Sequence, residues 1–242
     1  MNAGRSVEQS SRESETTRGV VNWAIKGLFA KLFVAAILFA SAGRLDWVMG
    51  WVYLGVFLAF DVATALVLLP KSPELLVERA NIQEGTKGWD QVLVRLAAAY
   101  LPMAAWIVSG LDVRFGWSPP MSPALQFAAL VVIVLGYALV VWAMAANPFF
   151  SVTVRIQKDR DHTAATGGPY RYVRHPGYLG AILFTLVMPI LLGSLWALIP
   201  AGLALPAYVV RTALEDRTLH TELDGYAEYV ARVRHRLLPG VW

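Results

Sequence analysis

Four runs of apolar residues, 27–43, 47–69, 92–111 and 123–146, each match what a helix needs to cross a hydrocarbon core of about 30 Å, roughly 17 to 25 residues. A fifth apolar region, 178–210, is too long for one pass and carries Pro189, Gly193, Ser194, Pro200 and Pro206. It reads as two short helices that turn at Gly193 and Ser194. Lipid offers backbone N–H and C=O groups no partners, so open-edged strands are excluded and helices are the spanning elements. The chain is therefore expected to be an all-α, polytopic membrane bundle of about six spans, the last two a short hairpin. A composition with 57% hydrophobic and only 16% charged residues agrees with this.

Lys and Arg set the orientation. If the N-terminal segment, the second and fourth connections and the C-terminal tail share one side, every basic residue except Arg44 and Arg114 falls there. That side is expected to be cytoplasmic, with both termini inside. The net charge of +4 is explained by this asymmetry and by attraction to anionic lipid, so no nucleic-acid partner is expected. Residues 1–20 are polar and mixed in charge, with no short apolar core and cleavage site, and read as a disordered arm rather than a removable signal. The remaining residues, 21–242, read as a single membrane domain.

The chain contains no cysteine, which excludes disulfides, thiolate metal sites and cysteine nucleophiles. His162, His175, His220 and His235 show no ligand spacing, so no metal is expected. Between the second and third spans, PELLVERA suggests a short amphipathic helix on the membrane surface. Asp61, in the middle of the second span, reads as a carboxylate paired within the bundle or lining a cavity.

The connection 147–178 is long and rich in Thr, Gly, Asp and Arg, and it ends in GPYRYVRHPGYLG, residues 168–180. Gly167 and Gly168 permit close backbone approach to a ligand, and Pro169 and Pro176 fix turns. Tyr170, Tyr172 and Tyr178 supply aromatic faces and hydroxyls; Arg171, Arg174 and His175 offer donors to a carboxylate or phosphate. Tyr178 and Gly180 open a helix whose free amides and positive dipole end favour an anion. Such a segment suits an anionic, partly aromatic ligand at the membrane edge, although a collar of snorkelling arginines with interfacial tyrosines has the same composition. In the tail, 211–236 reads as an amphipathic helix, with Glu215 able either to accept hydrogen bonds from a ribose or to neutralise an arginine.

GPYRYVRHPGYLG, followed by Glu215 and then by LDGYAEYVARVRHRLLPG, resembles the isoprenylcysteine carboxyl methyltransferase family of integral membrane enzymes, with which phospholipid N-methyltransferases share the pattern. The resemblance covers residues 147–242. It implies a site for S-adenosylmethionine contacted by Arg174, His175, Tyr178, Gly180 and Glu215, to which Gly168 and Tyr170 are added from the residue reading above. Tyr226 and Tyr229 match the family's tyrosine pair. His175 and Arg174 are the catalytic candidates, His175 because an imidazole can take a proton from an amine or thiol acceptor. The tail departs from the eukaryotic pattern in reading ELDGY and RLLPGVW, so their prenylated-protein substrate does not carry over. The expected activity is methyl transfer to a lipophilic or small carboxylate, amine or thiol. An NADPH-dependent lipid or sterol reductase is the alternative, and a small transporter a weaker one.

Overall fold

A computed structural model describes residues 2–80 and 83–242, with side chains from residue 14 onward. The described residues are helical, with no strands. α1 (Asn2–Ala42), α2 (Val48–Leu68), α3 (Pro73–Ala80), α4 (Gly88–Arg95) and α5 (Leu101–Phe115) come first, α4 and α5 joined by a π-helical turn over Leu96–Tyr100. α6 (Pro123–Ala146), α7 (Pro176–Leu192), α8 (Leu198–Glu222) and α9 (Tyr226–Arg232) complete the fold. Among the described residues, five stretches are long and apolar enough to cross a membrane: Ser14–Ala42, Val48–Leu68, Gly88–Phe115, Pro123–Ala146 and Leu198–Glu222. α7 is a shorter apolar helix of 17 residues. Side chains such as Phe29, Leu66, Phe127, Leu135 and Leu203 point outward and are more than half exposed, as an integral membrane protein requires where it meets lipid.

Helices pack most closely where side chains are smallest. On facing surfaces of α6 and α7, a Cβ added to Gly180 would sit 2.5 Å from the Gly136 carbonyl oxygen, and one on Gly136 would sit 2.9 Å from that of Gly180. The two backbones meet through reciprocal glycines, the usual route to close approach between membrane helices. α3 lies beneath α1 and α2. Leu75 and Leu76 are fully buried in a cluster with Leu68, Val140 and Met144, and Lys26 Nζ donates to the Ala80 carbonyl at 2.8 Å.

The structure bears on three expectations. Within the segment 1–20, read as a disordered arm, residues 2–20 are continuous with the first span as α1, and residue 1 lies outside the described residues. A span already nucleates the helix, so flanking polar residues join it at the low cost of propagation, and Gly19 lies close against Val77 of α3. The last two spans form the expected hairpin, with a second arm longer than the sequence suggests. α7 turns at Gly193 (φ 85°) as expected, but α8 runs 25 residues, to Glu222. The tail helix expected over 211–236 is consequently divided: its first half belongs to α8, and a break at Gly225 (φ 76°) precedes α9. Charge misled the boundary, because Arg211 and Asp216 are buried in ion pairs and do not mark the edge of the bundle.

Candidate active site

The GPYRYVRHP segment folds by local rules. Residues Gly168–Arg171 form a 3₁₀ turn that starts from Gly168 in the left-handed region (φ 54°), which favours glycine. Pro176 occupies the first turn of α7, where a missing N–H costs nothing, and His175 precedes it. The amides of Arg174 and His175 donate to the carbonyls of His235 and Arg236, both at 2.9 Å, which ties this segment to the C-terminal tail. The amides of Tyr178 and Leu179 are taken by the His175 carbonyl, at 3.1 and 3.2 Å, so they are not free for an anion as the sequence suggests.

Asp216 on α8 is the hub. Its Oδ1 accepts from Arg174 Nε (2.7 Å) and the Tyr226 hydroxyl (2.9 Å) and lies 3.2 Å from His175 Nε2. Oδ2 accepts from Arg174 Nη2 (2.9 Å) and Arg236 Nε (2.8 Å). Arg174 Nη1 donates to the carbonyls of Val233 and Arg234, so four of its five N–H groups are committed. Burial works to lower the Arg174 pKa, and the hydrogen bonds and charge of Asp216 outweigh it and hold the guanidinium above its ordinary value.

Beside this hub, Tyr178 donates a short hydrogen bond to Glu215 Oε2, and His175 stacks on Tyr178 with ring centroids 5.7 Å apart. With Nε2 engaged by Asp216, His175 turns Nδ1 toward Glu215, 4.0 Å from Oε1. Arg211 lies over the Tyr178 ring at 5.0 Å and forks onto Asp90, Nε to Oδ1 at 2.6 Å. Burial raises the pKa of Tyr226, with the Asp216 carboxylate adding to the effect. Burial likewise raises that of Tyr170, whose hydroxyl accepts from Asn147 Nδ2. Both are neutral phenols at physiological pH.

Of these groups, Tyr170, Arg174, His175, Tyr178, Arg211, Glu215 and Tyr226 wall a cavity of about 260 Å³, with Asp216 and Asp90 behind them. His175 and Glu215 face it near the N-terminus of α7, together with Tyr226 and Tyr229. Further along α7 the wall is Ala181 and Phe184, and back along α8 it is Tyr208, joined by Phe60 of α2 and Val94. At a rise of about 1.5 Å per residue, this polar-to-apolar change spans roughly 10 Å of helix. Ala98 on the π-helical turn also contributes, a geometry that often marks functional sites.

Of the site residues expected from sequence, Tyr170, Arg174, His175, Tyr178 and Glu215 line this cavity. Gly168 and Gly180 do not: Gly168 turns against Trp142 and Ala146, and Gly180 packs on α6. Arg174 is fastened to Asp216. Sequence reasoning missed Asp216, although it adjoins Glu215, and Asp90, which hydropathy places outside the third span but which is fully buried against Arg211. Asp61, deep in α2, is paired with Lys31 as expected of a carboxylate within the bundle. No group of residues suited to a metal ion occurs among the described residues.

Residues 128–221 match the Isoprenylcysteine carboxyl methyltransferase (ICMT) family. The Protein-S-isoprenylcysteine O-methyltransferase of Schizosaccharomyces pombe (strain 972 / ATCC 24843) is 33% identical over 111 residues, covering 45% of this chain and 47% of the yeast protein. The chain thus spans about half the length of that relative. The matched stretch takes in most of α6, the RHP turn, α7 and nearly all of α8, so the similarity to the isoprenylcysteine carboxyl methyltransferase family lies in these cavity-forming elements.

Proposed function

We propose that this integral membrane protein transfers a methyl group from S-adenosylmethionine to the carboxylate of a lipophilic, prenylcysteine-like acceptor at the cytoplasmic membrane face. The observation that carries the reading is a single cavity that joins the Glu215–His175 pair to an apolar wall between helices. The name of the yeast relative gives the acceptor class. The one-sided distribution of Lys and Arg supports cytoplasmic termini and a cytoplasmic site.

The residues present fit the cofactor. Glu215 is an acceptor for sugar hydroxyls, and its partial exposure to the cavity leaves Oε1 available beside the Tyr178 hydrogen bond. Neutral tyrosine faces from Tyr170, Tyr226 and Tyr229 suit an adenine ring or a cation, the latter worth on the order of 0.5 to 2 kcal/mol. When bound, S-adenosylmethionine supplies a methyl group on a positively charged sulfur, already an activated leaving group. An acceptor carboxylate has no proton to remove, so His175 acts here as an oriented contact. Arg174, committed to Asp216, is a positioning residue: it fixes the carboxylate that in turn fixes His175. Alignment of two reactants in a water-poor cavity can supply about 7 to 11 kcal/mol of the barrier.

A reductase would need free cations for nucleotide phosphates. Of the described arginines that line the cavity, Arg155, Arg174 and Arg211 are each held by a carboxylate, which leaves Arg79 alone to meet several phosphate charges and disfavours that reading. The test is incubation of the purified protein in detergent with methyl-labelled S-adenosylmethionine and N-acetyl-S-farnesylcysteine. A labelled, base-labile methyl ester of the prenylcysteine is expected. Label found only on a lipid amine or thiol, or calorimetric binding of NADPH with none of S-adenosylmethionine, overturns the proposal.

A further inference from the structure

Among the described residues, four arginines line the cavity, and three of them have carboxylate partners. Arg155 meets Glu78 (Nε to Oε1, 2.9 Å), Arg174 meets Asp216 (2.7 Å), and Arg211 meets Asp90 (2.6 Å). Arg79, at the end of α3, has neither a hydrogen bond nor an ion pair among the described residues. Its neighbour Glu78 is turned to Arg155, and Asp61, the carboxylate whose charge reaches Arg79, is engaged by Lys31.

The position of Arg79 is fixed. Leu75 and Leu76 anchor α3 in the core, and Lys26 holds the Ala80 carbonyl. The guanidinium lies 5.3 Å from the centre of the Phe150 ring, and that same ring lies against Gly177 in the first turn of α7, where an added Cβ would come within 2.6 Å of it. Phe150 therefore links Arg79 to the turn that carries His175. Phe60 and Val140, which also line the cavity, belong to the apolar surroundings of α2 and α6. Burial lowers the Arg79 pKa to about 10, which leaves it charged at neutral pH. A partly buried cation without a counter-ion is costly, and an anionic ligand reduces that cost.

We propose that Arg79 recognises the carboxylate of the methyl acceptor, holding the anionic head of a lipophilic molecule whose apolar part lies along the inner wall of the cavity. The inference rests on the acceptor class proposed above. It assigns a binding role to α3, outside the segment that matches the family. It also selects among acceptors, because an amine or an uncharged thiol gains nothing from an unpaired guanidinium.

Binding, measured apart from turnover, tests this. Affinities of N-acetyl-S-farnesylcysteine and of its carboxamide are compared for the wild-type protein and for Arg79→Gln, in detergent, by thermophoresis. A hydrogen-bonded charge implies that wild type prefers the acid by about tenfold or more. Arg79→Gln loses that preference and leaves carboxamide affinity unchanged, and Arg79→Lys keeps part of it. Arg79→Met, which retains an apolar stem over Phe150, replaces the Gln variant if ligand-free melting shows that the latter does not fold. An equal affinity of wild type for acid and amide overturns the inference, as does a preference that survives in Arg79→Gln or Arg79→Met. Absence of methyl transfer to either probe, with the preference intact and dependent on Arg79, would instead count against the proposed reaction alone.

Discussion

Asp216 grips Arg174 with both carboxylate oxygens, receiving Nε at 2.7 Å and Nη2 at 2.9 Å, and both side chains are at least nine-tenths buried. The pair joins α8 to the turn before α7. Removing one partner of a buried pair leaves a charge uncompensated and costs about 3 to 5 kcal/mol. Asp216 keeps Arg236, His175 and Tyr226 as partners, so Arg174→Ala should fall at the lower end, about 3 kcal/mol. Arg174→Lys should recover only part of this, since an ammonium cannot fork onto two oxygens. Ligand-free thermal melting in detergent reads the loss; an unchanged melting temperature in Arg174→Ala would show that the pair is not structural.

Glu215 differs from its neighbour, with one oxygen satisfied by Tyr178 and a face on the cavity. Glu215→Gln keeps an acceptor for the tyrosine and removes the charge. Affinity for S-adenosylmethionine should fall by about 1.5 to 3 kcal/mol, the range for hydrogen bonds to charged groups, with little change in ligand-free melting. Titration calorimetry beside the melting curve distinguishes binding from scaffolding. Lower stability with unchanged affinity assigns Glu215 a structural role.

His162 makes the loop over the cavity sensitive to acid. Its Nδ1 accepts from the Gln157 amide at 3.3 Å, and its ring lies 4.5 Å from that of Phe149. Burial, followed by the charges of Arg155 and Arg160, lowers its pKa from 6.5 to about 4. A folded pKa below the unfolded one means that the unfolded loop takes up the proton first. The stabilisation is complete above pH 6.5 and is lost as pH falls toward 4. Solvent around a partly exposed ring limits the effect to about 1 to 2 kcal/mol. Amide protection factors across 149–165, taken relative to the intrinsic exchange rate at each pH, should fall between those pH values in wild type and change less in His162→Gln; identical slopes in both would remove His162 as the cause.

Orientation can be read by labelling, because the chain has no native cysteine. Thr163 and Pro120 are both exposed, and neither is needed for a hydrogen bond described above. A membrane-impermeant thiol reagent should reach Thr163→Cys only from the cytoplasmic side and Pro120→Cys only from the opposite side. Labelling of both from one side would contradict the proposed placement of the termini.

Much of the bundle is readable from hydropathy alone, because a lipid-crossing helix must be apolar over its whole length. The turn at Gly193 is readable for the same reason that Gly168 is: few other residues accept a positive φ. Charge is where the reading fails. Asp90, Arg211 and Asp216 mark span ends to a hydropathy count, yet each is buried beside a partner far away in sequence, and nothing local announces a pairing across 121 residues. Arg174 illustrates the same limit at the site. Its residue type and motif point correctly to the cavity, but only the fold reveals that Asp216 has already claimed its guanidinium fork.

Gly180 shows how a motif residue can serve a site without touching it. It faces Gly136 across the α6–α7 contact, and an added methyl would meet the Gly136 carbonyl oxygen at 2.5 Å and Val140 Cγ2 at 2.7 Å. The valine can rotate, but the carbonyl belongs to a helix backbone and cannot yield alone, so α7 must move away from α6. Such overpacking usually costs about 1 to 3 kcal/mol. Because His175 and Tyr178 ride on the first turns of α7, the displacement also misplaces the cavity wall. Gly180→Ala should therefore lower melting temperature in detergent and weaken S-adenosylmethionine binding together, whereas direct contact between Gly180 and the cofactor would weaken binding alone. A variant with normal melting and normal affinity would show that the two helices tolerate separation and that the glycine pair does not set their spacing.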